Sequence, residues 1–179
     1  MSLLLLLTLS LASSTAASGA IDTVALKEIC GKTQDPGSCV SSVQSVASKE
    51  TVTATNATTV LKLAIKAAIK ETKASINKIK AAAHDAKHEK QTNYLLRSCV
   101  EDFKVSIDDL EDAQLAMAKD DSIAKRRIRQ ANGMCGVCQN GFEAFDVKTS
   151  PIHEEVEAIR KSTAILMEIA NIVWPGVAA

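Results

Sequence analysis

The sequence predicts an all-α chain, an antiparallel four-helix bundle preceded by a short disulfide-stapled helical hairpin. Three observations lead there. Seven Gly and three Pro in 179 residues are too few to punctuate the many hairpins of a β-sandwich or barrel. Four long stretches carry apolar residues at alternating steps of three and four, the period of a one-sided helix. Each such helix has a single apolar stripe, so it cannot be stable alone in water and must bury that stripe against its neighbours.

The elements follow in chain order. Leu3 to Leu7, with Leu9 and Leu11, form an apolar run too short to span a membrane, followed by the small residues 13–20. This reads as a secretory signal over residues 1–20, although its start carries no Lys or Arg. Removing it takes away no charged side chain and none of the five cysteines. Residues 21–50 are broken by Gly31, Asp35-Pro36-Gly37 and the pair Cys30 and Cys39, the pattern of a stapled helical hairpin. In an oxidising compartment, five cysteines most simply give two bridges and one leftover thiol. Asn56-Ala57-Thr58 is a glycosylation sequon, meaningful for an exported chain and placed ahead of a helical run.

Residues 51–174 hold the bundle. The first seam runs through Leu61, Ile65, Ala68, Ile76, Ile79 and Ala83, with Lys62, Lys66, Lys70, Lys73 and Lys80 outside it. The second runs from Leu96 through Cys99, Phe103, Ile107, Leu110 and Gln114 to Met117. The third takes Ala124, Ile128, Ala131, Cys135, Cys138, Phe142 and Phe145. The last takes Val156, Ile159, Thr163, Leu166, Ala170 and Val173, with Pro151 suited to its first turn. Pro175-Gly176 ends it, leaving residues 175–179 as a tail. Connections near Ala83 to Lys90, Lys119 to Ser122 and Val147 to Ser150 are short enough to make neighbouring helices antiparallel.

Lys plus Arg and Asp plus Glu balance at 21 each, which argues against a nucleic-acid module. The charges are nevertheless segregated. Residues 62–90 hold eight Lys against Glu71, Asp85 and Glu89, whereas residues 101–121 hold eight acids against Lys104 and Lys119. Lys125, Arg126, Arg127 and Arg129 then restore positive charge. Such alternation suits solvated faces and pairing between helices, or one sign of charge displayed to a protein partner.

Cys30-Gly31-Lys32-Thr33-Gln34-Asp35-Pro36-Gly37-Ser38-Cys39 resembles the N-terminal hairpin of the plant invertase and pectin methylesterase inhibitor family, with its Lys-Thr, Pro and second cysteine at this spacing. Leu96-Arg97-Ser98-Cys99-Val100-Glu101-Asp102-Phe103 is similar to the family's third-cysteine helix. Cys138-Gln139-Asn140-Gly141-Phe142 is similar to the fourth cysteine followed by Gly-Phe. The resemblance covers about Ile21 to Val173 and implies bridges of Cys30 with Cys39 and of Cys99 with Cys138. The chain departs from the family at Cys135, an additional cysteine, and at Arg129-Gln130-Ala131-Asn132-Gly133-Met134, where the family has a Trp-Ser-Ala-Ala type of stretch. Cys135 is then either a free buried thiol or a competitor of Cys138 for Cys99. Cys135-Gly136-Val137-Cys138 also has the spacing of a redox dithiol, but it lacks the βαβ setting and helix N-terminus that would lower a thiolate pKa. His84, His88 and His153 do not complete a zinc site with these cysteines.

No nucleophile, base and oxyanion arrangement and no phosphate loop can be argued, so neither catalysis nor a cofactor is expected. The resemblance implies a secreted inhibitor of pectin methylesterase in the cell wall, acting by reversible one-to-one occlusion of the enzyme's cleft. An acid invertase of wall or vacuole is the alternative target, and a non-inhibitory structural or storage-like bundle is the alternative of another class. Some invertase inhibitors carry Pro-Lys-Phe in the loop that here reads Met117-Ala118-Lys119-Asp120-Asp121-Ser122-Ile123, and its absence points to pectin methylesterase. The mature chain is expected to bind neither membrane nor nucleic acid. The candidate contact residues are Lys104, Asp108, Glu111, Lys125, Arg126 and Arg129. Both candidate enzymes use cleft carboxylates, so acidic wall pH could tune affinity through charge pairs.

Overall fold

The computed structural model describes residues 21–84, 89–147 and 150–178. The expected secretory leader and His88 lie outside them. Six helices and no strand are found among the described residues: α1 (Thr23–Cys30), α2 (Pro36–Ala47), α3 (Ala57–His84), α4 (Lys90–Ala116), α5 (Asp121–Ala144) and α6 (His153–Val173).

Local chemistry sets most of the helix starts. Asp22 caps α1 by accepting from the Val24 and Ala25 amides. Asp35 accepts from the Ser38 amide ahead of Pro36 in the first turn of α2, and Asp120 does the same for the Ser122 and Ile123 amides of α5. Asn56 starts α3, its Oδ1 accepting from the Thr59 amide at 2.9 Å. Each of these side chains occupies one or two of the donors that a helix N-terminus leaves without an intrahelical partner.

The four long helices form a closed ring in which α3 packs on α4 and α6, and α5 packs on α4 and α6. The cross-links between α4 and α5 report their direction. Cys99 meets Cys138, Ser106 meets Ala131 and Asp109 meets Arg127. Partner numbers fall on α5 as they rise on α4, which requires antiparallel helices. The hairpin α1–α2 lies against α3 and α6, fixed covalently by Cys30–Cys39. It shares one core with the bundle: Leu26, Val43 and Val46 pack in the same cluster as Leu61, Leu110, Ile128 and Leu166.

Two polar links tie the hairpin to α6. The Gln34 amide donates to Glu168 Oε2 at 3.0 Å, and Lys161 pairs with Asp35 at 2.7 Å. The Lys161 bond, and then those from Ser38, hold the Asp35 carboxyl down at about 2, against an ordinary 3.8. Because the folded chain takes up this proton less readily than the unfolded chain, the link stabilises fully above about pH 4 and is lost as pH falls toward about 2. Asp35→Asn is therefore expected to flatten the acid limb of the stability profile between those values. Acid-unfolding curves that superimpose for the two proteins would refute that role.

The predicted seams describe most of the core, and the departures occur at helix ends. The first seam is buried throughout. In α4 the buried face ends at Ala113, and both Gln114 and Met117 are half-exposed. Phe145, expected at the end of the α5 seam, is instead 51% exposed. There the chain leaves the helix through Asp146 at φ 55°. The Val147 amide reaches back to the Phe142 carbonyl and the Asp146 amide to that of Glu143, an αL termination that turns Phe145 out of the stripe. Pro151 sits in the turn before α6 rather than in its first turn, and Val173 is only half-buried. Ile165 and Ile169, not among the expected positions, complete the α6 face.

Candidate functional site

Among the described residues, no helix is long and apolar enough to cross a membrane, and no group of three or more His, Cys, Asp or Glu could hold a metal ion. One surface of the bundle is distinctive. On α4, Tyr94, Ser98, Asp102, Val105, Asp109 and Asp112 follow one another at steps of three and four residues, beside the seam rather than on it. On α5, Arg127, Gln130, Met134, Val137 and Gly141 do likewise, and Phe145, the residue after α5, extends their row. Because the helices are antiparallel, the two rows run along opposite banks of one outer groove.

At one end the groove opens into a cleft of about 290 Å³ lined by Tyr94, Asp102, Val137, Gly141 and Phe145, with the Cys99–Cys138 bridge also in its wall. This chain has one Trp, one Tyr and three Phe. Trp174, Phe103 and Phe142 are buried, whereas Tyr94 and Phe145 are exposed and share this cleft. Partial burial, and secondarily the charge of Glu101, push the Asp102 carboxyl above the usual carboxylate range. At the other end Arg127 bridges the helices, meeting Asp109 at 2.8 Å and Asp112 at 3.3 Å. The Asp109 side chain is buried in that pair. The groove is thus apolar and aromatic at one end and bridged by an ion pair at the other, a composition suited to anchoring aromatic contacts inside a polar rim.

None of the expected contact residues belongs to either row of this groove. Lys104 and Asp108 lie on the exposed side of α4, Lys104 bonded to Glu101 at 2.8 Å. Arg126 and Arg129 are exposed on α5. Glu111, seven residues after Lys104 and on the same face of α4, pairs with Lys73 of α3 at 3.3 Å. Lys125 must be corrected, because it is only 6% exposed. Its ammonium donates to the carbonyls of Trp174 at 3.3 Å and Val177 at 2.6 Å, so it fastens the C-terminal turn and is not offered to a partner. Tyr94, Phe145 and Arg127 were not anticipated. Their signal was the phase of Tyr94, two residues ahead of the Leu96 seam, and the charge match of Arg127 with Asp109 and Asp112.

The structure joins Cys30 to Cys39 and Cys99 to Cys138, with Cα atoms 5.6 and 4.9 Å apart. Cys135 is a buried free thiol. Burial pushes that thiol up to about 12, with Arg160 and Glu157 of α6 acting on it in opposite senses. Cys138 instead reaches α4, so the two cysteines, one turn apart, serve different helix neighbours. A thiol so protonated has almost no nucleophilic thiolate near neutral pH, the opposite of a redox dithiol. The sequon residue Asn56 is exposed, and its cap uses Oδ1, leaving Nδ2, the atom that would carry a glycan, outside that bond.

The chain matches the family described as plant invertase/pectin methylesterase inhibitor over residues 24–173. No curated protein matches it significantly. Among solved structures it is similar to a mutant form of a pectin methylesterase inhibitor from Arabidopsis, at 19% identity and a TM-score of 0.61, covering 82% of this chain and 95% of that one. It is also similar to a pectin methylesterase inhibitor from Arabidopsis thaliana, at 18% identity and a TM-score of 0.58, covering 87% of this chain and 100% of the other. At these identities the likeness is one of fold.

Proposed function

Because this chain belongs to the plant invertase/pectin methylesterase inhibitor family, we propose that it is a secreted inhibitor of pectin methylesterase. It occludes the enzyme's substrate cleft in a reversible one-to-one complex, with the outer α4–α5 groove as its docking face. The family match across nearly the whole described chain is the observation that carries this reading. The groove supports it physically. It sets exposed aromatic side chains on a scaffold held by a covalent bridge, and a preorganised surface loses little conformational freedom on docking. Met117 to Ile123 lacks the Pro-Lys-Phe of some invertase inhibitors, which favours pectin methylesterase over acid invertase. Export to the wall rests on the leader-like residues 1–20 and would make the exposed Asn56 a glycan acceptor.

Titrating the purified mature protein into pectin methylesterase and acid invertase assays at about pH 5 tests the proposal. The esterase rate is expected to fall to an endpoint at one equivalent while the invertase is unaffected. Inhibition of invertase alone would reassign the target, and inactivity against a panel of both enzymes would leave a structural bundle. Arg126→Glu with Arg129→Glu is expected to weaken inhibition roughly tenfold or more by placing carboxylates where the exposed side of α5, next to the groove, now carries cations. Its melting temperature should change little, since the interactions of exposed charges, such as that of Arg126 with Asp120, contribute little to stability. Unaltered inhibition constants would remove these two residues from the contact.

A further inference from the structure

The four long helices do not bury one continuous apolar column. Their apolar residues fall into two clusters. One, at the hairpin end, takes Ala64 and Ala68 of α3, Leu110 of α4, Ile128 of α5 and Leu166 of α6 together with α1 and α2. The other, at the far end, takes Ile76 and Ile79 of α3, Phe103 of α4, Cys138 of α5 and Ile159 of α6. On every helix the change from one cluster to the other coincides with polar side chains: Thr72 and Ser75 on α3, Ser106 and Asp109 on α4, Asn132 on α5, Thr163 on α6. Thr72, Ser75, Ser106 and Thr163 are each at most 1% exposed. A belt of four hydroxyls, one carboxamide and one carboxylate therefore crosses the bundle at mid-height, with the half-buried Ile69 packing against both clusters.

The belt is sparsely bonded. Ser106 donates to the Ala131 carbonyl at 3.1 Å, Thr163 to Asn132 Oδ1 at 2.8 Å and Arg127 to Asp109 Oδ1 at 2.8 Å, three bonds that join α4, α5 and α6 and do not reach α3. Thr72 turns back on its own helix, to the Ala68 carbonyl, and the Ser75 hydroxyl has no hydrogen-bond partner among the described residues. Apolar packing transmits cooperativity because every group gains from its neighbours, whereas a layer with few cross-helix bonds and an unsatisfied hydroxyl couples its two sides weakly. Each cluster also has its own covalent bridge. Cys30 and Cys39 belong to the hairpin-end cluster, and Cys99 and Cys138 to the far one.

We propose that the bundle is built of two separately stapled half-cores that meet at this polar belt, and that the far half opens as a unit while the hairpin half stays folded. The far half is the weaker one. It draws on four helices only, all of which end within it, so it can open by fraying those ends back to the belt. The hairpin half is braced by all six helices. The inference rests on packing alone and does not depend on which enzyme, if any, the protein inhibits.

Native-state hydrogen exchange of the full chain in rising guanidinium tests it. Amides around Ile79, Leu96, Phe142 and Val156 are expected to merge onto one opening isotherm, at least about tenfold less protected than amides around Val43, Leu61, Ile128 and Leu166. In Val43→Ala, a truncation within the hairpin-half core, hairpin-half protection should fall about tenfold while far-half protection changes less than about threefold, because the far half opens with the Val43 site still folded. A single isotherm for both groups in the unmodified protein, or an equal fall in both groups in the variant, would overturn the proposal. If the variant does not fold, the isotherms of the unmodified protein decide.

Discussion

Replacing Cys99 and Cys138 together with alanine is expected to lower the unfolding free energy by about 4 kcal/mol in the loop-closure account of disulfides. The bridge closes a loop across 39 residues, against 9 for Cys30–Cys39. The longer loop removes more freedom from the unfolded chain, so the hairpin bridge should contribute less, about 3 kcal/mol. Either figure is a large part of the stability of a domain this size. The bridge is buried with Phe103 and Phe142 around it, so no compensating contact with water is gained on its loss. Cys135 cannot substitute, since both of its potential partners in that region are gone and its thiol is held protonated by burial. Urea unfolding under non-reducing conditions measures the effect. A change below about 1 kcal/mol would show that the bridge does not constrain the unfolded chain as its loop length requires.

Phe103→Ala is expected to cost about 3–5 kcal/mol, the range for truncating a fully buried aromatic side chain. Phe103 is fully buried in the far cluster, between α4 and its neighbours, so its removal leaves a void that rigid helices close only partly. The same substitution at Phe145, one residue beyond α5, should change stability by no more than about 0.5 kcal/mol, because that ring already faces water. Its effect should appear in binding. Phe145→Ala and Tyr94→Ala are each expected to weaken inhibition about tenfold or more, since exposed aromatic residues flanking a cleft are typical anchors of an interface. Thermal melts and inhibition titrations on the three variants check the contrast. A large stability loss at Phe145, or inhibition constants unaltered by both exposed-ring variants, would remove the groove as the docking face.

The sequence was most legible where periodicity governs. Leu61, Ile65, Ile76 and Ile79 share a face by helical geometry alone, and their burial follows once any partner is present. It was least legible at helix ends. Phe145 has the spacing of the α5 seam, yet one αL residue after it redirects the chain, and spacing carries no information about that turn. Lys125 reads as a member of a basic run. Only the arrival of α6 and its C-terminal turn beside α5 converts it from a surface cation into a buried donor. The docking groove was not legible: the cations Arg126 and Arg129 stand out in a charge count but lie off its rows, and Tyr94, Val137 and Phe145 become one cleft only when two antiparallel helices are set in register.

Composition and period by themselves determined the helical class and the four seams, because these follow from which side chains water excludes along a single helix, and the motifs around Cys30, Cys99 and Cys138 carried the resemblance to the family. Tertiary structure decided the rest: the placing of Tyr94 and Phe145 in one cleft, the binding of Lys125 to the C-terminal turn, the orientation of Cys135 and the alignment of polar side chains from four helices into one belt. Those features depend on the rotation and axial offset of each helix against its neighbours. Both are settled by the packing of all the stripes together, which no single stripe contains.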